Sequence, residues 1–306
     1  MRTINLGLSG IQVPTIAVGC MRINSIGKSE AEAFVKGALD LGANFFDHAD
    51  VYGGGTCEAI FADAIGMTPA VRESIFIQSK CGIRPGIAFD FSKEHILASV
   101  DASLKRLKTD YLDVLLLHRP DALVEPEEVA EAFNTLHDQG KVRNFGVSNQ
   151  NPGQITLLRK FVRQPLVANQ LQLSITNAAM ITEGLHVNMS DNAAINRDGG
   201  ILNFCRLNDI TIQPWSPFQH GFFKGVFLGN KEFPKLNAKI DEVGAKYGVS
   251  NITITMAWLL RHPAKFQPVT GTMNLVRLSD CVKAADITLS REEWYAIYLA
   301  AGNILP

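Results

Sequence analysis

Short apolar runs alternate with amphipathic segments along almost the whole chain. The apolar runs have the length and residue types of buried strands, and the segments between them, such as 29–42, carry apolar residues at helical spacing. The predicted strands are 16–21, the run that ends at Asp47, 75–80, 111–117, 142–148, 166–172, 210–216 and 266–271. Strands that alternate with helices pair in parallel through right-handed crossovers. Eight such units predict an α/β fold, a closed (β/α)8 TIM barrel.

The organisation around this pattern is simple. Residues 4–14 alternate around a Ser-Gly pair, which predicts an N-terminal β-hairpin ahead of the barrel. We find no linker or domain boundary and expect a single domain over 1–306. A doubly wound sheet is the structural alternative, but a phosphate-binding G-x-G-x-x-G after a first strand is absent. The irregular segment 183–200 is long for a connection between strand and helix. We expect it to form a flap over the substrate end of a cleft, with a surface excursion as the alternative.

Composition limits the classes of partner. The 306 residues are 46% apolar and 19% charged with a formal net charge of −1, which suits a globular protein and offers no basic patch for nucleic acid or an anionic membrane. No apolar run is long enough to span a bilayer, and we expect no signal peptide. The five cysteines are odd in number and lack a C-x-x-C pair, which indicates a reducing, cytoplasmic setting without a zinc site. The sequence gives no indication of the oligomeric state.

Four side chains suited to carbonyl reduction follow three consecutive predicted strands: Asp47, Tyr52, Lys80 and His118. The carboxyl ends of all strands of a parallel barrel open on one face, so we expect these residues to meet there. A Tyr is a weak acid at neutral pH, and a nearby ammonium favours its phenolate and lowers its pKa. A buried Lys80 needs an anion, which Asp47 can supply. His118 can hydrogen-bond the same carbonyl oxygen, so the set can protonate an alkoxide as a cofactor delivers hydride.

Simpler interpretations exist for each residue. Taken singly, a strand-end Tyr, Lys, His or Asp is more often a packed aromatic, a solvated charge or part of a turn. The occurrence of all four at matching strand ends favours an active site. A metal-dependent hydrolase would instead use Asp47, His48 and Asp50 as ligands, but no H-x-H follows a strand and no ligand spacing is evident.

Three local motifs match one known family. They are D-H-A-D-V-Y-G at 47–53, the strand-end Lys80, and L-L-H at 116–118. Through them the chain resembles the aldo-keto reductase family, and the match continues along nearly its whole length. The resemblance implies that Tyr52 is the general acid/base, that Lys80 and Asp47 tune it, and that His118 orients the substrate.

The same resemblance implies a dinucleotide site at the carboxyl face. Five residues look like the family's contacts to the nicotinamide end of the cofactor: Ser148, Asn149, Gln170, Trp215 and Ser216. Among them, the ring of Trp215 matches the position that stacks on the nicotinamide. A core aromatic is the alternative interpretation of a single Trp.

Residues 271–281 resemble the family's loop for the adenine, ribose and phosphates. The matching positions are Thr272, Asn274, Arg277 and Asp280. Arg277 falls on the position that grips the 2′-phosphate, and its planar fork suits phosphate oxygens, which implies NADPH rather than NADH. A helix-surface cation is the alternative. Two departures occur: Gly271 replaces a Lys of many members, and Cys281 replaces a frequent Asn. One cationic contact is therefore missing, which argues against a strict preference for NADPH.

The leading hypothesis is an NADPH-dependent oxidoreductase that reduces an aldehyde or ketone to an alcohol in the cytoplasm. The alternative is a cofactor-binding regulatory subunit of the same fold with weak catalysis, like some relatives of the potassium-channel β subunits. The intact set of four residues favours the enzyme. The sequence does not define the physiological substrate.

Overall fold

The computed structural model describes the whole chain, residues 1–306. Its strands are β1 (Thr3–Asn5), β2 (Gln12–Pro14), β3 (Ala17–Gly19), β4 (Phe45–Asp47), β5 (Phe76–Cys81), β6 (Ile83–Arg84), β7 (Ala88–Phe89), β8 (Leu112–Leu117), β9 (Val142–Ser148), β10 (Leu166–Gln172), β11 (Thr211–Trp215) and β12 (Val269–Thr270). Its helices are α1 (Lys28–Asp40), α2 (Thr56–Ile65), α3 (Pro69–Glu73), α4 (Lys93–Leu107), α5 (Pro126–Asp138), α6 (Pro152–Arg159), α7 (Ala179–Thr182), α8 (Ile201–Leu207), α9 (Pro234–Tyr247), α10 (Asn251–Leu260), α11 (Leu275–Lys283) and α12 (Arg291–Ala300).

Eight of the strands close into a barrel. They pair in the cyclic order β3-β4-β5-β8-β9-β10-β11-β12, and every neighbouring pair is parallel. The predicted (β/α)8 barrel is therefore confirmed. None of the helices combines the length and the apolar content needed to cross a membrane.

The predicted N-terminal hairpin, formed by β1 and β2, covers the amino-terminal end of the barrel. Its Leu6 and Val13 are fully buried and join the apolar side chains that fill this end of the barrel interior. Gly7 has a φ of +51°, and a Cβ at this position would lie 2.4 Å from the carbonyl oxygen of Val167. Only glycine therefore allows the hairpin to approach so closely. The N–H of Gly7 donates to Thr211 Oγ1 at 2.8 Å. The carboxyl end of the barrel remains as the open face.

A second, larger apolar core lies between the barrel and its helices and contains 65 buried residues. Helix α5 illustrates how the helices attach. Its Val129, Phe133 and Leu136 are buried at a spacing of four and three residues, which places them on one face. The ring of Phe133 stacks on Phe145 of β9 with centroids 4.1 Å apart. Packing of this kind fixes the strands whose ends carry the candidate site.

Some local features differ from the predicted pattern. Helix α1 begins at Lys28, one residue before the predicted amphipathic segment 29–42, because Gly27 is the N-cap and the Glu30 carboxylate accepts its N–H at 3.1 Å. The hairpin of β6 and β7 and the helices α3 and α7 have no predicted counterpart. Each of them is too short to produce a hydrophobic period in the sequence.

Residues 183–200 are irregular, as predicted, and they contact the C-terminus. The ring of His186 bridges the two segments, with Nδ1 2.9 Å from Asp191 Oδ2 and Nε2 3.1 Å from the carbonyl oxygen of Ile304. A cavity of about 560 Å³ lies between the segment and the C-terminal residues. A further cavity of about 350 Å³ separates the end of the segment from Asn149, beyond β9. The segment thus borders the carboxyl face of the barrel, and its function as a flap stays a prediction.

Candidate active site

The segment 48–55 carries Tyr52 from the end of β4 to the start of α2. Its first part runs beside β5, where the N–H of Asp50 donates to the carbonyl oxygen of Lys80 at 3.0 Å. The three glycines at 53–55 then turn the chain with φ values of 57°, 63° and 91°, a region that residues with a Cβ rarely adopt. This local path fixes Tyr52 above the end of β5.

Lys80 joins the members of the predicted catalytic set. Its side chain is fully buried, and Nζ lies 2.8 Å from Asp47 Oδ2, 2.7 Å from the carbonyl oxygen of His48 and 3.1 Å from Tyr52 Oη. An ammonium has three N–H donors and no acceptor, so these three contacts use all of its hydrogens. The Tyr52 oxygen must accept from Lys80. The hydrogen of the Tyr52 hydroxyl is therefore free to point into the cleft.

The charges of this group depend on one another. Burial alone lowers the pKa of Lys80, but the charges of Asp47 and Tyr52 and the hydrogen bonds to them raise the pKa overall, so the ammonium persists. Burial raises the pKa of Tyr52, and the charge of Lys80 only partly opposes that increase. The charge of Lys80 lowers the pKa of Tyr52, as expected from the sequence. The pKa is raised overall because the effect of burial is larger.

His118 follows β8 and completes the predicted set. Its ring lies edge-on to the Tyr52 ring, with centroids 5.9 Å apart and an interplanar angle of 81°. Burial, followed by the charges of Lys80 and Arg119, holds the pKa of His118 well below its ordinary value, so the imidazole is neutral. Its Nδ1 is buried without a hydrogen-bond partner.

Asp47 accepts hydrogen bonds at both carboxylate oxygens. While Oδ2 contacts Lys80, Oδ1 accepts from Gln78 Nε2 at 2.6 Å and from Gln170 Nε2 at 3.0 Å. Asp47 and Gln78 are 2% and 0% exposed, so no solvent competes for these bonds. Nitrogen donors on both sides of the carboxylate therefore hold it in one orientation.

Two further glutamines continue this network toward the amino-terminal end of the barrel. Gln213 Nε2 donates to Gln78 Oε1 at 3.1 Å and to Gln267 Oε1 at 2.8 Å, and Gln267 Nε2 donates to the carbonyl oxygen of Pro14 at 2.8 Å. A carboxylate and a carbonyl can only accept, so Asp47 and Pro14 together fix the direction of every amide between them. The chain of glutamines therefore has a single orientation.

Three of the predicted nicotinamide contacts lie beside this set. Ser148 Oγ donates to the carbonyl oxygen of Gln170 at 2.9 Å, Asn149 Nδ2 donates to Ser148 Oγ at 2.8 Å, and Trp215 Nε1 donates to Asn149 Oδ1 at 3.1 Å. Asn149 Nδ2 also approaches the carbonyl oxygen of His118 at 3.4 Å. Ser216 follows the indole with a positive φ of 53°. The structure thus brings the first group of predicted cofactor residues next to the catalytic set.

The second predicted cofactor group lies at the start of α11. Asn274 is the N-cap of this helix, and its Oδ1 accepts the N–H of Arg277 at 3.0 Å. Thr272 Oγ1 accepts the N–H of Asn274 at 3.2 Å. Arg277 is exposed. Asp280 is engaged by Lys283, whose Nζ lies 3.1 Å from Oδ1.

Comparison with known proteins identifies the family. The family model described as "Aldo/keto reductase family" matches residues 15–299. The chain belongs to the aldo/keto reductase family. Membership makes it an oxidoreductase that depends on a nicotinamide cofactor, and it confirms the family resemblance seen in the sequence.

Relatives and solved structures of this family cover nearly the whole chain. The uncharacterized oxidoreductase YcsN of Bacillus subtilis (strain 168) is 37% identical over 303 residues, which are 95% of each chain. The 6-dehydroglucose reductase of Agrobacterium fabrum (strain C58) is 33% identical over 304 residues, again 95% of each chain. The crystal structure of the thermostable aldo-keto reductase Tm1743 with the inhibitor epalrestat has a TM-score of 0.77 and 26% identity, covering 98% of this chain and 100% of that one.

The alternative of a metal site at Asp47, His48 and Asp50 finds no matching geometry in this aldo/keto reductase. No group of three or more His, Cys, Asp or Glu side chains is placed to hold a metal ion. Both oxygens of Asp47 accept from nitrogen donors of the protein. The ring of His48 is buried with neither nitrogen partnered, and burial, followed by the charge of Lys80, lowers its pKa to about 3.

Arg22 is a functional candidate that the sequence did not reveal. It comes from the loop after β3, and its Nη1 lies 3.2 Å from the carbonyl oxygen of Gly271. A Cβ at Gly271 would lie 2.9 Å from the same nitrogen. The guanidinium therefore occupies the space into which a side chain at position 271 would project. Position 271 is the one at which the family resemblance implies a Lys in many members, whereas this chain has Gly.

The glutamines of the barrel interior were also missed. The family resemblance implies that Gln170 contacts the nicotinamide, whereas Gln78, Gln213 and Gln267 have no function predicted from the sequence. A signal was available: each of the three interrupts an otherwise apolar predicted strand, in F-I-Q-S, T-I-Q-P and F-Q-P-V. Interior positions of parallel barrels are usually filled by branched apolar residues, so an unexplained amide at such a position indicates a hydrogen-bond network.

Proposed function

We propose that the protein reduces an aldehyde or ketone to the alcohol with NADPH, and that Tyr52 donates the proton. The observation that carries this proposal is the position of the Lys80 ammonium, within 2.8 Å of Asp47 Oδ2 and 3.1 Å of Tyr52 Oη. This arrangement supports a hydroxyl that can lose its proton into the cleft while the resulting phenolate stays paired with a buried cation.

The bound dinucleotide would supply a hydride for the carbonyl carbon. In the same step Tyr52 gives its hydroxyl proton to the carbonyl oxygen. A C–H bond and an O–H bond form on the carbonyl group. The C–O π bond, the donor C–H bond of the reduced dinucleotide and the Tyr52 O–H bond are lost, so an oxidised dinucleotide and a phenolate would remain. Lys80 stabilises that phenolate through the hydrogen bond it already makes, and Asp47 keeps Lys80 charged. In the tautomer that carries its hydrogen on Nε2, the neutral ring of His118 can donate to the substrate oxygen and orient it.

Side chains at the carboxyl face suit the nicotinamide end of the cofactor. Gln170 already donates its Nε2 hydrogens to Asp47 and Gln213, which leaves its Oε1 for an N–H of the nicotinamide carboxamide. Ser148 and Asn149 provide further hydrogen-bonding groups beside it, and Trp215 provides an aromatic face. The carboxamide would therefore be held next to the Tyr52 hydroxyl.

Two arginines suit the phosphate end. Arg277 lies in the first turn of α11, where backbone N–H groups and the helix dipole favour an anion. Arg22, beside Gly271, supplies a second cation in place of the Lys that many family members have at that position. Both guanidinium groups can pair bidentately with phosphate oxygens. Together they support NADPH over NADH, since NADPH alone carries a 2′-phosphate.

The test measures turnover of a panel of aldehydes and ketones by the purified protein. The loss of NADPH absorbance monitors the reaction. Because a relative at 33% identity is named a 6-dehydroglucose reductase, the panel includes hydroxylated aldehydes. Tyr52→Phe keeps the ring and removes the donor, so it should lower turnover by ~10²–10⁴-fold and leave NADPH binding intact. Near-normal turnover in this variant would show that another group donates the proton. Tight NADPH binding without turnover of any carbonyl would favour the regulatory subunit instead.

A further inference from the structure

Arg119 is a cation at the mouth of the cleft without an anionic partner. It directly follows His118 beyond β8 and is partly buried. None of the ion pairs in the structure includes Arg119, and burial lowers the pKa of its guanidinium. The nearest acid along the chain, Asp121, is committed elsewhere, since its two oxygens accept the N–H groups of Phe91 and Leu123, each at 2.8 Å.

Aromatic rings surround this guanidinium. Its Cζ lies 5.6 Å from the ring centroid of Trp215 and 5.7 Å from that of Phe222. Contacts with ring faces attract a cation but provide no acceptors for its five N–H donors. The contact with Trp215 places the guanidinium beside the reacting groups. The charge of Arg119 is also one of the causes that lower the pKa of the adjacent His118. An anion bound here would lie within the same cleft as the carbonyl.

The barrel topology separates Arg119 from the proposed phosphate site. In the cyclic strand order, β8 and β12 are four strands apart in either direction, so the loops that follow them lie on opposite sides of the open face. Arg277 follows β12, whereas Arg119 follows β8. The cofactor phosphates therefore have their own arginines across the barrel, and Arg119 is available to a different anion.

We propose that Arg119 binds a carboxylate of the carbonyl substrate, so that the preferred substrates are aldehydes or ketones that carry an anionic group. This inference rests on the proposed reduction and assigns its substrate class. A partly buried guanidinium recognises a carboxylate through two parallel N–H···O bonds, which a hydroxyl or an alkyl group cannot reproduce. Partial burial of the guanidinium strengthens such a pairing relative to one in open solvent.

The experiment compares 4-carboxybenzaldehyde with 4-methylbenzaldehyde, using NADPH and the wild-type protein, Arg119→Met and Arg143→Met. Met keeps the length of the stem and removes the charge. Arg143 is the matched control because its guanidinium also lies over an aromatic ring, 3.6 Å from the Tyr111 centroid, but has Asp113 as a partner. We expect Arg119→Met to lower the ratio of kcat/KM for the carboxylated over the methylated aldehyde by roughly 10- to 100-fold, mainly through KM. Arg143→Met should leave this ratio unchanged.

Two outcomes overturn the inference while leaving the proposed reduction intact. In one, Arg119→Met lowers kcat/KM equally for both aldehydes. In the other, it reduces activity on glyceraldehyde more than on the carboxylated aldehyde, which would assign Arg119 to hydroxyl groups. Calorimetric binding of 4-(hydroxymethyl)benzoate and 4-methylbenzyl alcohol to the protein with NADP⁺ makes the same comparison without turnover. If Arg119→Met binds the benzoate as well as the wild type does, the assignment is wrong whether or not the protein reduces carbonyls.

Discussion

Gln78 Nε2 donates to Asp47 Oδ1 at 2.6 Å, while the other oxygen of the same carboxylate pairs with Lys80 at 2.8 Å. Gln78 is fully buried, so this bond is not exchanged with water. A rotation of the carboxylate would break both contacts. Gln78 therefore holds Asp47 in the orientation that keeps the Lys80 ammonium beside Tyr52.

Removal of this positioning contact should affect chemistry more than cofactor binding. Gln78→Leu leaves Asp47 freer to turn away from Lys80, and we expect kcat to fall about tenfold, the scale of one hydrogen bond to a charged group. If the Lys80 ammonium is held less firmly beside Tyr52, it lowers the pKa of Tyr52 by a smaller amount. The alkaline limb of the profile of kcat against pH should therefore move to higher pH. Steady-state kinetics across pH would detect both effects.

A buried glutamine outside the site provides the control. Gln164 donates to Asn134 Oδ1 at 3.0 Å, and Gln164→Leu removes a comparable amide far from Asp47. It should leave kcat and its pH profile unchanged. If both variants lose kcat equally and keep the wild-type pH profile, the loss results from a lower stability of the whole protein. Gln78 would then have no positioning function.

Much of the fold could be predicted from particular residues. Long apolar runs such as 111–117 identify barrel strands because they are buried on both faces, and the alternation with helices selects parallel closure. The same logic predicts that residues following these runs share one face, and the structure brings Lys80, Asp47 and Tyr52 within hydrogen-bond distance. Strand ends are defined by local sequence, so this part of the site is visible without coordinates.

Contacts between segments that are distant in the sequence could not be predicted in this way. Arg22 and Gly271 are 249 residues apart, and nothing near Arg22 indicates where its side chain points. The sum of opposing effects on the Tyr52 pKa depends on burial depth, which a sequence does not give. The partners of His186 include a backbone carbonyl 118 residues away. Each of these features requires the three-dimensional path of a loop, where periodicity carries no information.

The two arginines at the phosphate end should separate NADPH from NADH. Arg277→Ala should weaken NADPH binding by ~1.5–3 kcal/mol and hardly change NADH binding, because only NADPH has a 2′-phosphate. Arg22→Ala should reduce the same preference, and the double variant should reduce it further than either change alone. Fluorescence titration with both dinucleotides measures these affinities.

Arg143→Ala is a suitable reference here, since Arg143 pairs with Asp113 and lies on β9 rather than at the phosphate loop. Equal weakening of NADPH and NADH by Arg22→Ala would show that Arg22 contacts a group common to both dinucleotides. Equal weakening by Arg277→Ala would remove the basis for assigning the 2′-phosphate to that residue.

The contact of His186 with the C-terminal residues should make stability depend on pH. Its two ring nitrogens both face acceptors, Asp191 Oδ2 at 2.9 Å and the carbonyl oxygen of Ile304 at 3.1 Å, so only the imidazolium can donate to both. The hydrogen bond to Asp191, and then the one to Ile304, raise the pKa of His186 above its ordinary value. The pKa of Asp191 is lowered, chiefly by the same bond with His186.

The signs of these shifts define the pH window. Because folding raises the pKa of His186, its protonation stabilises the fold at pH values below the pKa of His in the unfolded chain, about 6.5. This contribution is lost as the pH rises through the pKa of His186 in the folded protein. Because folding lowers the pKa of Asp191, its carboxylate stabilises the fold at pH values above the pKa of Asp in the unfolded chain, about 3.9. This contribution is lost as the pH falls through the pKa of Asp191 in the folded protein. The Tm of the wild type should therefore exceed that of Asp191→Asn most clearly between about pH 4 and 6.5. The difference should shrink at alkaline pH. Thermal unfolding at constant ionic strength measures it, and a gap that stays constant through the alkaline range would mean that His186 is not protonated in the folded protein.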